Sequence, residues 1–517
     1  MPLEVSPDTL ILTRPIYAKD RNCGYCHGLK EKSYSLKSLQ KAHEDGLFGF
    51  DKDPQSISIG FQLENISLQD YESLINKGFR RSGTFLYKPD LLRNCCRLYT
   101  IRTNLFNYKQ NKTLKEHRKN VNHFLKNLNP ELNEIKRKTN VKVEIDQEII
   151  NAELKCDKSI FYTKFEPPIF TKAKYQLYKK YQMIVHNDEE DEVSEKGFKR
   201  FLCDNPFPLK YIAKDQDWEL LNNWQKNQQT KLFIGPVHEC YYINNKLAAI
   251  AVLDILPNSI SSVYFIWDPD YSSWGLGNLS GLRELCLTER LNKNWYYLGY
   301  YIQDCEKMKY KKKFKGELLD ICRSQFVEFG DNLTKIIDNG VLFVISDNKD
   351  QNQLILDELE LPDKVQTPCI KDSNDLINIA EEIYGLNGGS YLKIDNITGK
   401  LKQYIDSYSI QNDDNIFQES DKERLYKIPK IVPGLIPLWQ IYEMLESKEL
   451  QNLNIKILDV YNSEDYYSNS SLWAGNLTQK FDDDDHHHDQ EEKKRIVIDM
   501  VRLLGPKIAN NSLILLY

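Results

Sequence analysis

Residues 238–301 read HECYYINNKLAAIAVLDILPNSISSVYFIWDPDYSSWGLGNLSGLRELCLTERLNKNWYYLGYY, and this stretch decides the fold. The pattern of apolar, aromatic and β-branched residues predicts three strands, a helix and a fourth strand, over residues 238–243, 247–254, 261–268, 278–292 and 295–301. Asn244 and Asn245 tolerate the positive φ of a tight turn, so they predict that the first two strands form a hairpin. Pro257 ends the second strand, and the Gly-x-Gly of residues 275–277 precedes the helix.

Three antiparallel strands, a Gly-containing turn, a helix and a further strand are similar to the core of the N-acetyltransferases. This similarity predicts an α/β (α+β) fold with an N-acetyltransferase-like (GNAT) core. Such enzymes hold the coenzyme A phosphates on backbone N–H groups of the Gly turn, after a Gln or Arg. Here Ser272 stands three residues before Gly275, and Ser280 replaces the third glycine of a dinucleotide fingerprint. The sequence therefore favours an acyl donor other than coenzyme A.

Four cysteines form two tight clusters, Cys23 with Cys26 and Cys95 with Cys96. Four thiols in such clusters suit a tetrahedral zinc ion or an iron-sulfur cluster. Adjacent Cys95 and Cys96 point in different directions on a regular helix or strand, so joint ligation requires an irregular loop there. The alternatives are a redox Cys-x-x-Cys beside two ordinary cysteines, or four buried thiols without a ligand.

The length of 517 residues allows two or three domains. The predicted division is an N-terminal Cys-rich metal or cluster domain, a basic helical linker region, an acyltransferase-like core, and a C-terminal extension packed on that core, over residues 1–105, 106–190, 191–345 and 346–517. An acidic and His-rich stretch near 480–493 predicts a disordered loop rather than a metal site. No apolar stretch approaches a membrane span and no leader pattern is present, so we expect a cytoplasmic, possibly also nuclear, monomer.

The net charge of −6 hides a basic segment, because ten basic and only three acidic residues lie between Arg102 and Lys138. Two further stretches, 162–181 and 307–313, interleave lysines with tyrosines. Lysines with aromatic residues suit a phosphate backbone with unstacked bases, although each stretch alone is also typical of a solvated helix face. Together they indicate a nucleic-acid partner, and with the missing coenzyme A signature they indicate an acyl donor carried on RNA.

Many short motifs occur in the order seen in one enzyme family. They are Cys23-Gly-Tyr-Cys26, Gly78-Phe-Arg-Arg-Ser-Gly83, Tyr87-Lys-Pro89, Cys95-Cys96 with Tyr99-Thr-Ile-Arg102, Tyr178-Lys-Lys-Tyr-Gln182, His186, Val252-Leu-Asp-Ile-Leu-Pro257, Ser261-Ser-Val-Tyr264, Asp268-Pro-Asp-Tyr271, Leu298-Gly-Tyr-Tyr301 and Cys305-Glu-Lys-Met-Lys-Tyr310. From about residue 20 to about residue 320 the chain resembles the eukaryotic, fungal-type arginyl-tRNA protein transferases.

The resemblance implies transfer of arginine from arginyl-tRNA to the α-amino group of proteins that begin with Asp or Glu, and with oxidised Cys as a further acceptor. The product is a signal for ubiquitin-dependent degradation, an N-degron. A tRNA ester is already activated, so the reaction needs neither ATP nor coenzyme A. An α-amine of pKa about 7.7–8.0 needs only modest base assistance.

The resemblance also suggests roles for individual residues. We expect His238, Glu239 and Asp254 in catalysis; Arg80, Arg81 and Tyr264 in acceptor binding; Asp268 and Asp270 in binding the donor arginine; Lys179, Lys180, Lys307, Lys309 and Lys311 in tRNA binding; and Cys23, Cys26, Cys95 and Cys96 as metal ligands. The family usually has Gln at the position of Glu239. Structural ion pairs for the arginines, turn capping for Asp268 and aromatic packing for Tyr264 and Tyr310 are the competing interpretations.

Two other functions fit parts of the sequence. A coenzyme A dependent acetyltransferase fits the predicted core, but not the residues before Gly275. A noncatalytic tRNA-binding or RNA-binding module fits the basic stretches, and it predicts binding to tRNA without formation of an amide.

Overall fold

A computed structural model gives the structure of the protein. It describes residues 6–20, 23–26, 56–110, 114–129, 145–208, 214–226, 232, 234–303, 305–338, 342–345, 376–378, 400–401, 426, 428–460, 473–474, 477 and 484–517.

The residues that decide the fold lie in an eight-stranded sheet, here called the core sheet. Its strands are β6 (Tyr99–Asn104), β7 (Phe161–Glu166), β8 (Gly235–Ile243), β9 (Lys246–Ile255), β10 (Ser259–Trp267), β11 (Trp295–Tyr301), β12 (Glu317–Asp320) and β13 (Gln325–Glu328). They lie in the order β13-β12-β6-β11-β10-β9-β8-β7. All neighbours are antiparallel except β10 and β11, which are parallel.

The predicted hairpin is confirmed by the pairing of β8 with β9. Asn244 and Asn245, between the two strands, have φ values of 49° and 58°. Asn pays a smaller steric penalty than other side chains in this left-handed region, so the two residues favour the turn. The three antiparallel strands, the helix and the further strand follow in the predicted order.

A second eight-stranded sheet, here called the N-terminal sheet, joins both ends of the chain. Its strands are β1 (Leu10–Thr13), β2 (Ile16–Asp20), β3 (Ser56–Asn65), β4 (Arg80–Ser82), β5 (Phe85–Pro89), β16 (Ile455–Asp459), β17 (Trp473–Ala474) and β18 (Ser512–Leu516). The apolar strand β18 lies between β1 and β16 and is parallel to both. Strands β14 (Phe343–Ile345) and β15 (Leu376–Asn378) form a separate pair.

Helices cover both sheets. The α-helices are α1 (Leu68–Ile75), α2 (Leu105–Gln110), α3 (Lys115–Leu128), α4 (Ile145–Lys155), α5 (Lys172–Tyr181), α6 (Glu195–Phe198), α7 (Asp215–Asn222), α8 (Leu276–Arg290), α9 (Glu306–Lys309), α10 (Asp331–Asp338), α11 (Leu438–Glu446), α12 (Asp484–Leu504) and α13 (Pro506–Ala509). Short 3₁₀ turns cover Pro269–Trp274, Tyr310–Phe314 and Leu450–Asn452, and π turns cover Gln182–His186 and Lys199–Cys203. None of the described helices is both long and apolar enough to cross a membrane.

The sheets divide the chain differently from the predicted domain boundaries. Strand β6 precedes the boundary predicted at residue 105, yet it pairs with β11 in the core sheet. The predicted linker region 106–190 contributes β7 to the same sheet. Helix α5 packs on β9 and β10, and α3 contacts β7 through Phe124 and Phe161. The described part of the predicted C-terminal extension completes the N-terminal sheet through β16, β17 and β18, because the apolar β18 needs partners on both edges.

The predicted disordered loop near residues 480–493 is wrong from residue 484 onward, where α12 begins. Residues 480–483 lie outside the described residues. The second half of α12 is buried, from Ile496 to Leu504. A helix that is docked at one end extends readily, because adding a residue costs far less than starting a new helix. The acidic and His-rich residues therefore form its first turns.

Candidate active site

A cavity of about 440 Å³ opens beside the parallel pair β10 and β11. The two strands pair over only three residues, from Ser259 opposite Trp295 to Ser261 opposite Tyr297. The rest of β10 is therefore free of β11, and the cavity lies at this fork. Its lining residues include Ser262, Phe265 and Trp267 of β10, Tyr296 and Leu298 of β11, and Lys307 and Tyr310 beyond it.

The N-terminus of α8 borders the same cavity. Gly275 precedes the helix with a φ of 62°, a conformation that glycine adopts without strain. A Cβ atom on Gly275 or Gly277 would meet nothing within 4 Å, so the backbone here faces open space. Unpaired N–H groups and the helix dipole make such an end favourable for a phosphate.

Arg81 and Asp254 form a buried bidentate ion pair. Arg81 Nε donates to Asp254 Oδ2 at 2.8 Å, and Nη2 donates to Oδ1 at 2.6 Å. The two side chains are 2% and 0% exposed. The pair connects β4 of the N-terminal sheet to β9 of the core sheet. Neither residue lines the cavity, and each charge is neutralised by the other.

His238 and Glu239 are buried and already engaged. His238 Nε2 lies 2.9 Å from the Leu202 carbonyl oxygen, and Nδ1 lies 3.3 Å from Lys174 Nζ. Burial, together with Lys174, lowers the pKa of His238 to about 3, so the imidazole is neutral at physiological pH. Glu239 accepts a hydrogen bond from Arg283 at 2.8 Å. Both side chains lie outside the cavity lining, so their predicted part in catalysis has no support from the geometry.

Arg80 and Lys311 are buried cations beside the end of β11. Arg80 donates to the Phe79 and Gly299 carbonyl oxygens at 2.6 and 3.2 Å, and Lys311 Nζ donates to the Tyr300 carbonyl oxygen at 2.7 Å. No carboxylate among the described residues lies within ion-pair distance of either side chain. Burial, with a contribution from Arg80, lowers the pKa of Lys311 to about 7. Lys311 is 8% exposed, so the prediction that it holds tRNA at the surface is not supported.

The remaining predicted lysines lie at the surface. Lys180 bridges Asp268 and Asp270 at 2.6 and 2.7 Å, so the expected donor-arginine ligands are already paired with a lysine. Lys179 pairs with Glu190 at 2.6 Å. The other two lie on α9: Lys309 pairs with Glu306, whereas the exposed Lys307 has no ion-pair partner in the described part of the chain and lines the cavity.

Tyr264 lies on β10 beneath α5 and the π turn that follows it. Its hydroxyl contacts Gln182 Oε1 at 2.8 Å and His186 Nε2 at 3.2 Å. Burial raises the pKa of Tyr264, so it stays protonated at physiological pH. Tyr264 does not line the cavity, whereas Tyr310 does.

The four cysteines meet at one point. Their Sγ atoms all lie within 4.8 Å of one another, with Cys23 to Cys96 at 3.9 Å and Cys26 to Cys95 at 3.6 Å. Residues 90–98 form turns between β5 and β6, which is the irregular loop that two adjacent ligands require. The close contacts with Cys95 and Cys96 lower the pKa of Cys23. The donor set fits a metal ion that prefers thiolates.

The sequence analysis missed Ser262, Tyr296 and Glu284. Ser262 and Tyr296 line the cavity, and Tyr296 donates a hydrogen bond to Glu284 at 2.6 Å. The aromatic run from Trp295 was interpreted as core strand, which hid the position of Tyr296 at the fork. The spacing of Ser280 and Glu284 on one face of α8 was the available signal.

Sequence models of one family match two parts of the chain. The model described as "Arginine-tRNA-protein transferase, N terminus" matches residues 21–116, and the model described as "Arginine-tRNA-protein transferase, C terminus" matches residues 173–320. The matched parts carry the cysteine tetrad and the cavity. They define an enzyme that transfers an aminoacyl group from tRNA to protein.

Individual relatives agree with this class. Arginyl-tRNA–protein transferase 1 of Saccharomyces cerevisiae is 40% identical over 445 residues, which cover 83% of this chain and 86% of that protein. Arginyl-tRNA–protein transferase 2 of Arabidopsis thaliana is 38% identical over 34% of this chain and 28% of its own. An aspartate/glutamate leucyltransferase of Aeromonas hydrophila is 25% identical over 53% of this chain and 88% of its own. The chain therefore belongs to the arginyl-tRNA–protein transferase family, as its motifs predicted.

Proposed function

We propose that this protein transfers arginine from arginyl-tRNA to the α-amino group of proteins that begin with Asp, Glu or oxidised Cys, and that the reaction takes place at the fork of β10 and β11. The product is a degradation signal for the ubiquitin pathway. The observation that carries this proposal is the position of the cavity, which is lined by a helix N-terminus, by Lys307 and by Leu298 of β11. The next residues of β11, Gly299 and Tyr300, accept hydrogen bonds from Arg80 and Lys311. An anionic donor and an acidic acceptor each have complementary charge there.

The tRNA end is the phosphate-bearing substrate. The open backbone at Gly275 and Gly277 and the N-terminus of α8 suit a phosphate of its last nucleotides. Lys307 faces the same cavity, and the partly exposed Lys179 and the exposed Lys309 lie at the surface, where each is paired with a glutamate. The order of the strands, the fork and the Gly turn before α8 are the features on which we propose an N-acetyltransferase-like core, with an aminoacyl ester in place of coenzyme A.

The acidic first side chain of the acceptor pairs with Arg80. A guanidinium binds a carboxylate through two parallel hydrogen bonds. Arg80 Nε is buried without a hydrogen-bond partner in the described structure. Lys311, also without an ion-pair partner among the described residues, is near enough to Arg80 to feel its charge. Residues Leu298 and Gly299 form a bulge opposite β6, with Gly299 at a φ of 74°, which turns its carbonyl group towards Arg80. Arg81, in contrast, holds Asp254 and is not an acceptor ligand.

The reaction is an aminolysis of the arginyl ester. The neutral α-amino nitrogen attacks the ester carbonyl carbon, the amide C–N bond forms, and the C–O bond to the tRNA ribose breaks. The proton lost by the amine goes to the departing ribose oxygen, which leaves as a hydroxyl group. Positioning of the two substrates at the fork supplies most of the acceleration, because the ester is already activated.

The cysteine tetrad holds a single tetrahedral ion, for which zinc is the best fit. Four sulfurs at about 2.3 Å from zinc lie about 3.8 Å apart, close to the observed spacing. In a four-iron cluster each sulfur binds a different iron, so the sulfurs stand farther apart. The ion would be structural and would hold residues 23–26 against residues 95–96.

Purified protein incubated with radiolabelled arginyl-tRNA should transfer label to peptides beginning with Asp or Glu, and not to a matched peptide beginning with Ala. This experiment tests the proposed activity itself.

Replacing Arg80 by Met should lower kcat/KM for the Asp peptide about 100-fold, because the charge pair between Arg80 and the acidic side chain of the acceptor is lost. The affinity of this variant for tRNA should equal that of the wild type. Arg290→Met, at the partly exposed end of α8, is the matched control. Binding of tRNA without label on any peptide would leave only an RNA-binding module.

Lys307→Glu should weaken tRNA binding. It should also reduce the slope of log affinity against log salt concentration by about the amount expected for one lost phosphate contact. The measurement is the affinity for tRNA at several salt concentrations. Lys335→Glu, an exposed substitution on α10 with the same charge change, should leave both quantities close to those of the wild type. An equal effect of the two substitutions would indicate nonspecific charge attraction. It would contradict the proposal that the tRNA end binds in this cavity.

A further inference from the structure

Glu284 is a buried carboxylate directly behind the cavity wall. It lies on α8, one turn after the cavity-lining Ser280, and is 1% exposed. Its Oε2 accepts a hydrogen bond from Tyr296 at 2.6 Å, and Tyr296 lines the cavity. Its Oε1 is buried and makes no well-aligned hydrogen bond among the described residues, although the Ser262 hydroxyl of the cavity wall lies close enough to act on the carboxyl. A buried acceptor without a donor costs free energy, which indicates that a ligand satisfies it.

The carboxylates of the described residues nearby are already neutralised. Glu239 is paired with Arg283, and Asp254 is paired with Arg81. Asp268 is paired with Lys180. Glu306 borders the cavity, but its side chain is 82% exposed and paired with Lys309. Glu284 has no cation within ion-pair distance in the described structure, so it is the acid available to a cationic ligand in this cavity.

We propose that Glu284, held by Tyr296, binds the guanidinium group of the arginine carried by the tRNA, and so determines which aminoacyl group is transferred. This assignment rests on the function proposed above. The cavity volume lies within the usual range for small-molecule sites. Phe265, Trp267 and Leu298 provide apolar walls for the methylene chain of arginine, and Ser262 and Tyr296 place hydroxyl groups beside its polar end.

Burial without a permanent counter-charge agrees with this role. Burial raises the pKa of Glu284 from 4.5 to about 7, and hydrogen bonds from Tyr296 and Ser262 oppose the increase. Three other ionisable groups interact electrostatically with this carboxyl group. They are Arg283 of the same helix, Glu239 of β8 and Tyr310 beyond β11. The ionised form binds a guanidinium, so arginine binding should strengthen as the pH rises through about 7.

The test uses tRNA charged with arginine or with citrulline, its neutral isostere, and an Asp-initiated peptide. The wild type should transfer arginine about 100-fold more efficiently than citrulline, because a site built for a charged donor rejects the analogue that lacks the charge. Glu284→Gln should lose most of this preference, by losing arginine transfer while keeping citrulline transfer. Glu289 lies on the same helix, is partly exposed and is paired with Lys109. The control variant Glu289→Gln should keep the wild-type preference.

The pH profile provides a second readout. The ratio of arginine to citrulline transfer should rise with pH through about 7 in the wild type and should be flat in Glu284→Gln. Taking the ratio cancels the titration of the acceptor amine and of Lys311.

The raised pKa of Glu284 in the folded state also affects stability. Ionisation of Glu284 lowers the free energy of unfolding above pH 4.5, and this loss grows until the pH reaches about 7. Glu284→Gln should therefore unfold at a higher temperature than the wild type at pH 8.

Each outcome separates the two proposals. A wild type that transfers neither aminoacyl group overturns the proposed function itself. A wild type that transfers arginine, with a Glu284→Gln variant that keeps the preference, overturns the role of Glu284 alone. Equal loss of arginine and citrulline transfer in that variant would also overturn it, because it would show that Glu284 only positions Tyr296. If Glu306→Gln loses more of the preference for arginine over citrulline than Glu284→Gln does, the guanidinium group binds at the cavity rim and not at Glu284.

Discussion

Replacing Asp254 by alanine is expected to lower the free energy of unfolding by about 3–5 kcal/mol, because Arg81 would keep its buried position without a counter-charge. The bidentate contact has distances of 2.6 and 2.8 Å, and both side chains are almost fully buried. The change also removes a link between the N-terminal sheet and the core sheet. Thermal and urea unfolding of the full chain measure the loss.

A double replacement distinguishes a structural pair from a catalytic one. Arg81→Met with Asp254→Leu removes both charges and retains apolar volume, and such replacements are often neutral for stability. We expect the double variant to recover most of the lost stability and to retain transfer activity. A stable double variant without activity would restore the catalytic role that the sequence suggested for Asp254. Glu195→Gln, which breaks the exposed pair of Lys172 and Glu195, should change stability little.

Replacing Cys96 by serine is expected to abolish stoichiometric metal binding and to lower the unfolding temperature by several degrees or more. The four sulfurs come from two segments about seventy residues apart in sequence, and an ion is the cross-link that their spacing suits. In small zinc domains the binding free energy is about 10–16 kcal/mol at pH 7. Here the two large sheets should remain folded, so the loss should be local to residues 23–26 and the turns before β6.

Metal analysis of anaerobically purified protein, with its visible absorption spectrum, identifies the ion. One zinc per chain and no visible absorption would support the single-ion proposal, whereas iron with sulfide and strong absorption would show a cluster and contradict it. Cys322→Ser, at an exposed cysteine outside the tetrad, should keep the metal content of the wild type. Full metal content in Cys96→Ser would remove Cys96 from the ligand set.

Local patterns account for the parts of the fold that were predicted. The Asn-Asn turn, the alternating strands and the Gly turn before α8 each depend on neighbours in sequence, and all appear in the structure. The cysteine tetrad was also predicted, because a set of thiols limits the possible chemistry before their positions are known. The membership of the arginyl-tRNA–protein transferase family followed from motifs spread over about 300 residues.

The roles of individual charged residues could not be predicted in this way. Arg80 and Arg81 are adjacent and chemically identical, yet among the described residues the first has no carboxylate partner while the second holds Asp254, 173 positions away. Lysines 307 and 311 belong to one basic run, but one is exposed and the other is buried. Their environments depend on which strands become neighbours, and sequence spacing carries no information about that choice.

By itself, the sequence determined the order of the core elements, the cysteine tetrad and the family, because these follow from local backbone preferences, residue chemistry and motif order. Only the tertiary structure decided that β10 and β11 separate to form a cavity, that β18 enters the N-terminal sheet, and that Glu284 is hydrogen-bonded to Tyr296 with no ion-pair partner among the described residues. The physical reason is that burial and charge pairing are properties of contacts between distant segments. Folding removes the water from a buried carboxylate, and where it supplies no internal cation the charge is left to be compensated by other means.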